Sequence, residues 1–207
     1  YQKKQGNLMD ILEIKDLEKL AQKKVPKMFF DYVNSGSWTE TTYNENVSDF
    51  QKIKLRQRVA IDMSNRTLET KMIGQKVSMP MALAPTGLTG MQRADGEILA
   101  AQAAEEFGVP FTLSTMSVCS IEAVAEKTKK PFWFQLYVMK DKKFMERLID
   151  RAKAAKCSAL VLTLDLQLLG QRHKDIRNGL STPPKLVPKH IYQVLTRPAW
   201  CMSCLLY

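Results

Sequence analysis

Four short stretches of the chain end on groups able to hold a flat, polar ring. They are Ala84-Pro-Thr-Gly87, Ser114-Thr115, Gln135-Leu-Tyr137 and Thr163-Leu-Asp165. Hydroxyls and an amide both donate and accept, so they suit the mixed edge of a heteroaromatic cofactor. Glycine at position 87 leaves bare backbone, which a ligand can approach closely. Asp165 is a different kind of group, because a carboxylate closing an apolar strand is costly unless paired. The set makes a poor metal site, since no His/Cys/carboxylate cluster at ligand spacing accompanies it. Cys201-Met-Ser-Cys204 has the spacing of half a zinc or redox site, but no partner pair stands at matching distance, and no metal is expected. Cys119 and Cys157 read as free thiols at a strand–helix turn and a helix end.

Bringing these ends together requires repeated strand–helix units. Met81-Ala-Leu-Ala84, Phe111-Thr-Leu-Ser114, Phe132–Val138 and Ala159–Leu164 read as strands. The last is nearly all apolar, as a strand covered on both faces should be. Between them one helix runs through Ile98, Ala101, Ala104 and Phe107 to a stop at Gly108. A second starts at Ser120 with Glu122 in its first turn, and Asp141–Lys156 forms a strongly amphipathic third. This repeat implies a parallel sheet, either open or closed into a barrel. No G-x-G-x-x-G follows a strand, which argues against a dinucleotide-binding fold. Barrel enzymes carry their sites at the C-terminal strand ends, where the four stretches fall. A closed barrel needs about eight strands and ~250 residues. About four strands are found here, and an α/β barrel of the β/α type truncated after about four units would leave edge backbone unpaired, so the pattern by itself suggests an incomplete chain.

Ahead of this repeat, Leu12, Ile14, Leu17 and Leu20 recur at helical spacing. Pro26 is expected to open a second helix carrying Met28, Phe29, Tyr32 and Val33, stopped at Asn34-Ser-Gly36. Thr67–Val77 alternates around Gly74 as a small hairpin would. After Asp165 an irregular basic segment with Pro183, Pro184 and Pro188 is expected. Residues 9–66, 67–165 and 166–207 are thus expected to be N-terminal helices, the first barrel half and a basic loop segment of one partial domain, 9–207.

Of the net charge of +10, five units fall in 166–207, where Arg172, Lys174, Arg177, Lys185, Lys189 and Arg197 face Asp175 alone. No nucleic-acid motif accompanies this charge, so no nucleic-acid partner is expected. A weak contact with an anionic membrane surface fits it better. No apolar run approaches the roughly 18 residues that span a bilayer. The first ten residues are polar and lack the apolar core of a secretory signal, and the chain opens on Tyr rather than Met. A cytoplasmic protein, peripheral at most on the inner membrane face, is the expectation.

Five segments in register carry a family resemblance: Phe30-Asp-Tyr-Val-Asn-Ser-Gly36, Ala84-Pro-Thr-Gly87, Thr112-Leu-Ser-Thr115, Phe134-Gln-Leu-Tyr-Val138 and Leu162-Thr-Leu-Asp165. From about Leu17 into the basic segment, the chain resembles the FMN-dependent 2-hydroxy acid dehydrogenases and oxidases. The resemblance implies that the backbone of Ala84, Pro85, Thr86 and Gly87 lies against the flavin ring. Ser114, Gln135 and Thr163 would bond its polar edge, and Tyr32 and Tyr137 would line the substrate pocket. Arg172, in Gly170-Gln-Arg-His173, would clamp the substrate carboxylate, a task suited to a planar bidentate donor.

By the same resemblance Asp165 would orient a catalytic histidine, as a carboxylate does in other histidine sites. His173 and His190 do not stand in the base motif. The resemblance also implies oxidation of an L-2-hydroxy acid to the 2-oxo acid, with FMN carrying the redox chemistry. Thr112-Leu-Ser-Thr-Met-Ser-Val-Cys119 favours L-lactate as substrate over glycolate. Gly87, where oxidases tend to carry alanine, favours a quinone or cytochrome over oxygen as acceptor. A homo-oligomer is implied for the whole protein. The base, the flavin lysine and the phosphate loops are not recognised in these residues, so the 207 residues by themselves are expected to be inactive. The alternatives are a non-catalytic fragment or a glycolate oxidase-like enzyme.

Overall fold

The computed structural model describes residues 11–180 and 187–204. Helices α1 (Ile14–Lys24), α2 (Lys27–Val33) and α3 (Thr41–Ser48) come first, followed by strands β1 (Thr70–Met72) and β2 (Gln75–Val77). The alternating part follows as α4 (Gly96–Phe107), β3 (Thr112–Leu113), α5 (Ile121–Lys127), β4 (Trp133–Tyr137), α6 (Lys142–Ala154) and β5 (Ala159–Thr163). Three short helices close the chain, α7 (His173–Asn178), α8 (Pro188–Leu195) and α9 (Pro198–Cys204). The chain divides into two compact units, one comprising the residues up to Tyr43 and from Gln171 onward, the other Asn44–Gly170.

In the second unit, β3, β4 and β5 form a parallel sheet in chain order, and Leu83 adds a parallel bridge to Phe111 on the other side of β3. Four successive segments therefore neighbour one another in a single direction. A doubly wound sheet reverses direction at a switch point; among the described residues no reversal occurs, an order that a barrel wall also has. The first strand, expected over Met81–Ala84, is reduced to that one bridge.

Side chains alternate across the sheet as the pleat requires. Phe134 and Leu136 point into a core with Leu113, Val124, Leu148 and Ala152, while Trp133, Gln135 and Tyr137 take the opposite face. Caps set the helix limits. The Ser120 hydroxyl accepts from the Ala123 N–H at 3.0 Å, the Asp141 carboxylate from the Phe144 N–H at 3.0 Å, and Gly108 closes α4 at φ 83°. Ile73 and Gly74 both have positive φ, 47° and 77°, which gives β1–β2 a tight hairpin turn.

Two expectations are corrected. The strand at Ala159–Thr163 is not covered on both faces, for Leu160 and Leu162 are about half exposed. In the parallel register they lie beside Phe134 and Leu136, but β5 is the edge of the described sheet and α6 packs over β4. The segment after Asp165 is not irregular but carries α7 to α9. Pro188 there is the first residue of α8, where its missing N–H costs nothing; Pro183 and Pro184 lie outside the described residues. The helix expected through Ile14, Leu17 and Leu20 is present as α1; it buries none of its residues, and Ile14 and Leu17 are exposed.

In the first unit, Met28, Phe29 and Phe30 of α2 are buried, and Phe29 stacks on Trp200 of α9 with centroids 5.4 Å apart. Pro26 is the residue that caps α2, one place earlier than expected. Among the described residues no helix is long and apolar enough to cross a membrane.

Candidate active site

The C-terminal ends of β3, β4 and β5 bring three of the expected flavin contacts into one hydrogen-bonded row. Gln135, 1% exposed, is its centre. Its Oε1 accepts from the Ser114 hydroxyl at 3.3 Å and from the Thr115 N–H at 3.1 Å, and its Nε2 donates to the Thr163 Oγ1 at 2.7 Å. The Thr115 hydroxyl donates to the Gln135 carbonyl at 2.5 Å, which ties the loop after β3 to β4 a second time. The cause is the pleat: Gln135 and Thr163 lie on the same face of adjacent parallel strands, Thr163 opposite Tyr137 two residues further on, and Ser114 directly follows β3 beside Gln135. Sequence reading gave Thr115 no role of its own; its place beside Ser114 at a strand end was the available signal.

Ala84, Pro85 and Thr86 are exposed at the end of the Leu83 bridge, and Gly87 is half-buried. Turn bonds shape this backbone, the Thr86 hydroxyl donating to the Ala84 carbonyl at 3.4 Å and the Thr89 hydroxyl to the Thr86 carbonyl at 3.1 Å. Tyr137 is half-buried and Asp165 exposed. Asp165 therefore carries no desolvation penalty here, and the burial argument made for it from the sequence does not apply. It lies two residues beyond β5, the edge strand of the described sheet.

Tyr32 and Arg172 belong to the first unit. The Arg172 guanidinium lies over the Tyr32 ring, 4.8 Å from its centroid. One guanidinium nitrogen donates to the Tyr32 carbonyl and, at 2.8 Å, to the Ser35 hydroxyl. Its Nε stands 2.9 Å from the Asp175 carboxylate, a charge pair without the alignment of a hydrogen bond. Burial raises the Asp175 pKa, against the pull of Arg172 and with the help of nearby Asp31. Asp31 itself accepts from Lys27 at 2.5 Å and from the Asn178 amide at 2.7 Å. Asp175 and Asn178 were missed from sequence; the i,i+3 spacing of Asp175 from Arg172 was the only hint.

Neither histidine is placed as a base. His173 packs edge-on to Trp38 with centroids 6.0 Å apart, and His190 is buried with Nε2 2.6 Å from the Asn178 carbonyl. The thiols of Cys119 and Cys157 are both pushed up to about 11, chiefly by burial, so both stay protonated. Among the described residues there is no group of three or more His, Cys, Asp or Glu able to hold a metal.

Residues 21–205 match the FMN-dependent dehydrogenase family. The chain belongs to that family. It is 45% identical over 188 residues to an L-lactate dehydrogenase of Vibrio parahaemolyticus, covering 91% of this chain and 49% of that one. An L-lactate dehydrogenase of Haemophilus influenzae is 47% identical over 192 residues, covering 93% and 50%. The chain thus spans about half the length of the curated relatives it matches. Among solved structures, a monotopic membrane protein, (S)-mandelate dehydrogenase, is 32% identical with a TM-score of 0.89, covering 96% of this chain and 53% of that one. A soluble mutant of the membrane-associated (S)-mandelate dehydrogenase from Pseudomonas putida is 35% identical with a TM-score of 0.79, covering 88% and 52%.

The cofactor of the FMN-dependent dehydrogenases suits the strand-end row on chemical grounds. A flavin's pyrimidine edge alternates donors and acceptors, and Ser114, Gln135 and Thr163 offer the same mixture in a fixed row with the exposed backbone of Ala84–Thr86 on a neighbouring segment.

Proposed function

We propose that this chain supplies the flavin-edge and substrate-clamping part of an enzyme that oxidises an L-2-hydroxy acid, L-lactate by preference, to the 2-oxo acid. The observation that carries the reading is the Ser114–Gln135–Thr163 row across three strand ends. When bound, FMN takes up the two electrons released as the alcohol carbon becomes a carbonyl. Ser114, Gln135 and Thr163 hold the ring's polar edge, and the backbone of Ala84 to Gly87 lies against its plane. Arg172 fixes the substrate carboxylate through its planar fork, and the Tyr32 and Tyr137 hydroxyls bond the substrate oxygens. Asp165 orients the histidine base of the whole protein. The chain forms the first half of a β/α barrel, and alone it turns over no substrate.

Glycine at position 87 supports a quinone or cytochrome acceptor, with oxygen as the alternative. Position at a membrane has support of its own. The Ile191, Tyr192 and Leu195 side chains of α8 are exposed beside Lys189, a pairing suited to an anionic interface, and a mandelate dehydrogenase relative is monotopic. Sedimentation with anionic against neutral vesicles tests this, and equal binding to both, or binding to neither, sinks it.

The main reading is tested on the protein extended to the length of its relatives. It should purify yellow or take up added FMN, and anaerobic L-lactate should bleach it faster than mandelate or glycolate. A colourless protein that ignores FMN overturns the reading.

A further inference from the structure

Glu97, in the first turn of α4, is 1% exposed although it carries a carboxylate. Its Oε1 accepts two backbone N–H groups, that of Gly90 at 3.0 Å and that of Val118 at 2.9 Å. These amides lie in different loops, one following the Leu83 bridge and one following β3. The loops also meet directly, where the Leu88 N–H donates to the Met116 carbonyl at 2.9 Å. A side chain at Gly90 would come within 2.6 Å of Val118 Cβ, so the two loops touch at that point. Leu88 and Asp95 sit at φ 56° and 57°, a backbone region that persists in such residues only when the surroundings impose it. The second carboxylate oxygen of Glu97 is buried with no partner beyond the neighbouring Cys119 thiol, which interacts with the Glu97 side chain. A buried carboxylate is costly, and no bond within α4 accounts for it here. Its two bonds run instead to the loops that begin with Ala84–Gly87 and with Ser114–Thr115.

We propose that Glu97 is the positioning residue of the flavin-edge loops, one carboxylate oxygen holding both so that they meet the ring as a unit. The proposal rests on the flavin reading above. Glu97 touches neither cofactor nor substrate in this scheme, and it acts through the Gly90 and Val118 amides.

The test uses the full-length protein as wild type, Glu97→Gln and Glu97→Leu. Hydrogen exchange at Gly90 and Val118, the dissociation constant for FMN and the visible spectrum of bound flavin are measured for each. Leucine keeps the bulk but accepts nothing. Losing hydrogen bonds to a charged group should speed exchange at both amides, and weaken FMN, by roughly tenfold to a hundredfold. The flavin spectrum should shift, while exchange at Leu136 in β4 stays unchanged. Glutamine, whose amide oxygen can accept both bonds, should restore FMN affinity to within about threefold, less than the tenfold that corresponds to ~1.4 kcal/mol. If Glu97→Leu fails to fold, Glu97→Asp, one methylene shorter, should show the same pattern at smaller amplitude. Faster exchange at both amides with FMN affinity and spectrum unmoved overturns the proposal. A wild-type protein that binds no FMN overturns the flavin reading and this proposal together.

Discussion

At the strand ends of the second unit the gathered side chains are neutral, and each is satisfied by its neighbour one strand away. Around Arg172 in the first unit they are charged, and the balance is uneven. The guanidinium has the Tyr32 and Ser35 backbone and side-chain oxygens as well as Asp175, while one Asp175 oxygen is buried without a hydrogen bond. The neutral row follows from strand spacing of about 4.8 Å, which short side chains bridge without choice of conformation. The charged corner depends on a long, flexible side chain and on burial that favours the uncharged form of Asp175. One is a fixed surface and the other a set of exchangeable partners. Under the proposed function, an incoming carboxylate would compete with Asp175 and Ser35 for Arg172, whereas a flavin would meet a row already in place.

The largest effect expected from breaking this contrast is at Arg172. In the full-length protein Arg172→Ala should lower kcat/KM for the hydroxy acid by about 2–5 kcal/mol of transition-state binding, with FMN retained. An unchanged kcat/KM would return Arg172 to a purely structural role. Gln135→Leu should act the other way round. It leaves Ser114 and the Thr115 N–H without their acceptor, at a cost of about 1–3 kcal/mol for each buried group, and it should release FMN on gel filtration. Flavin that stays bound to a destabilised variant would separate the row from the cofactor.

Asp175→Asn gives a smaller and pH-dependent effect. A carboxyl whose folded pKa lies above its ordinary 3.8 contributes stability below that value and loses it as pH rises through the folded value. The thermal stability of the variant relative to wild type should therefore improve as pH rises past about 3.8. A flat difference between pH 3 and 7 would show that burial does not govern this group.

The smallest effect lies away from both regions. Arg151 holds the Glu122 carboxyl at about 2 through bonds of 2.7 and 2.8 Å. Both side chains are nearly half exposed, so water screens the pair, and Arg151→Ala should cost only about 0.2–1 kcal/mol at neutral pH. Because the carboxyl is held below its ordinary 4.5, that stability is present above 4.5 and fades as pH falls toward 2. Denaturant unfolding of both proteins across this range checks it.

Some of this was readable from residue types alone. Strand–helix alternation, the stops at Gly108 and Asn34 and the helix starts at Ser120 and Asp141 are local features, set by hydrogen bonds within a few residues; the structure has them within one residue of where the sequence places them, with Ser120 and Asp141 as the capping residues. The grouping of Ser114, Gln135 and Thr163 was legible for the same reason, because strand ends in a parallel repeat must fall side by side. Coverage was not legible. Leu160 and Leu162 read as buried because they are apolar, but burial depends on which elements pack over them, and none does in the described sheet. Nor was the fate of charge legible. Glu97 looks like any acidic residue in a first helical turn, and Asp165 like a carboxylate in need of a partner, yet the fold buries the first and leaves the second in water. The order of residues determined the elements and the family. Only the tertiary structure decided which polar groups lost their water, since desolvation is a property of everything packed around a group and not of its neighbours in the chain.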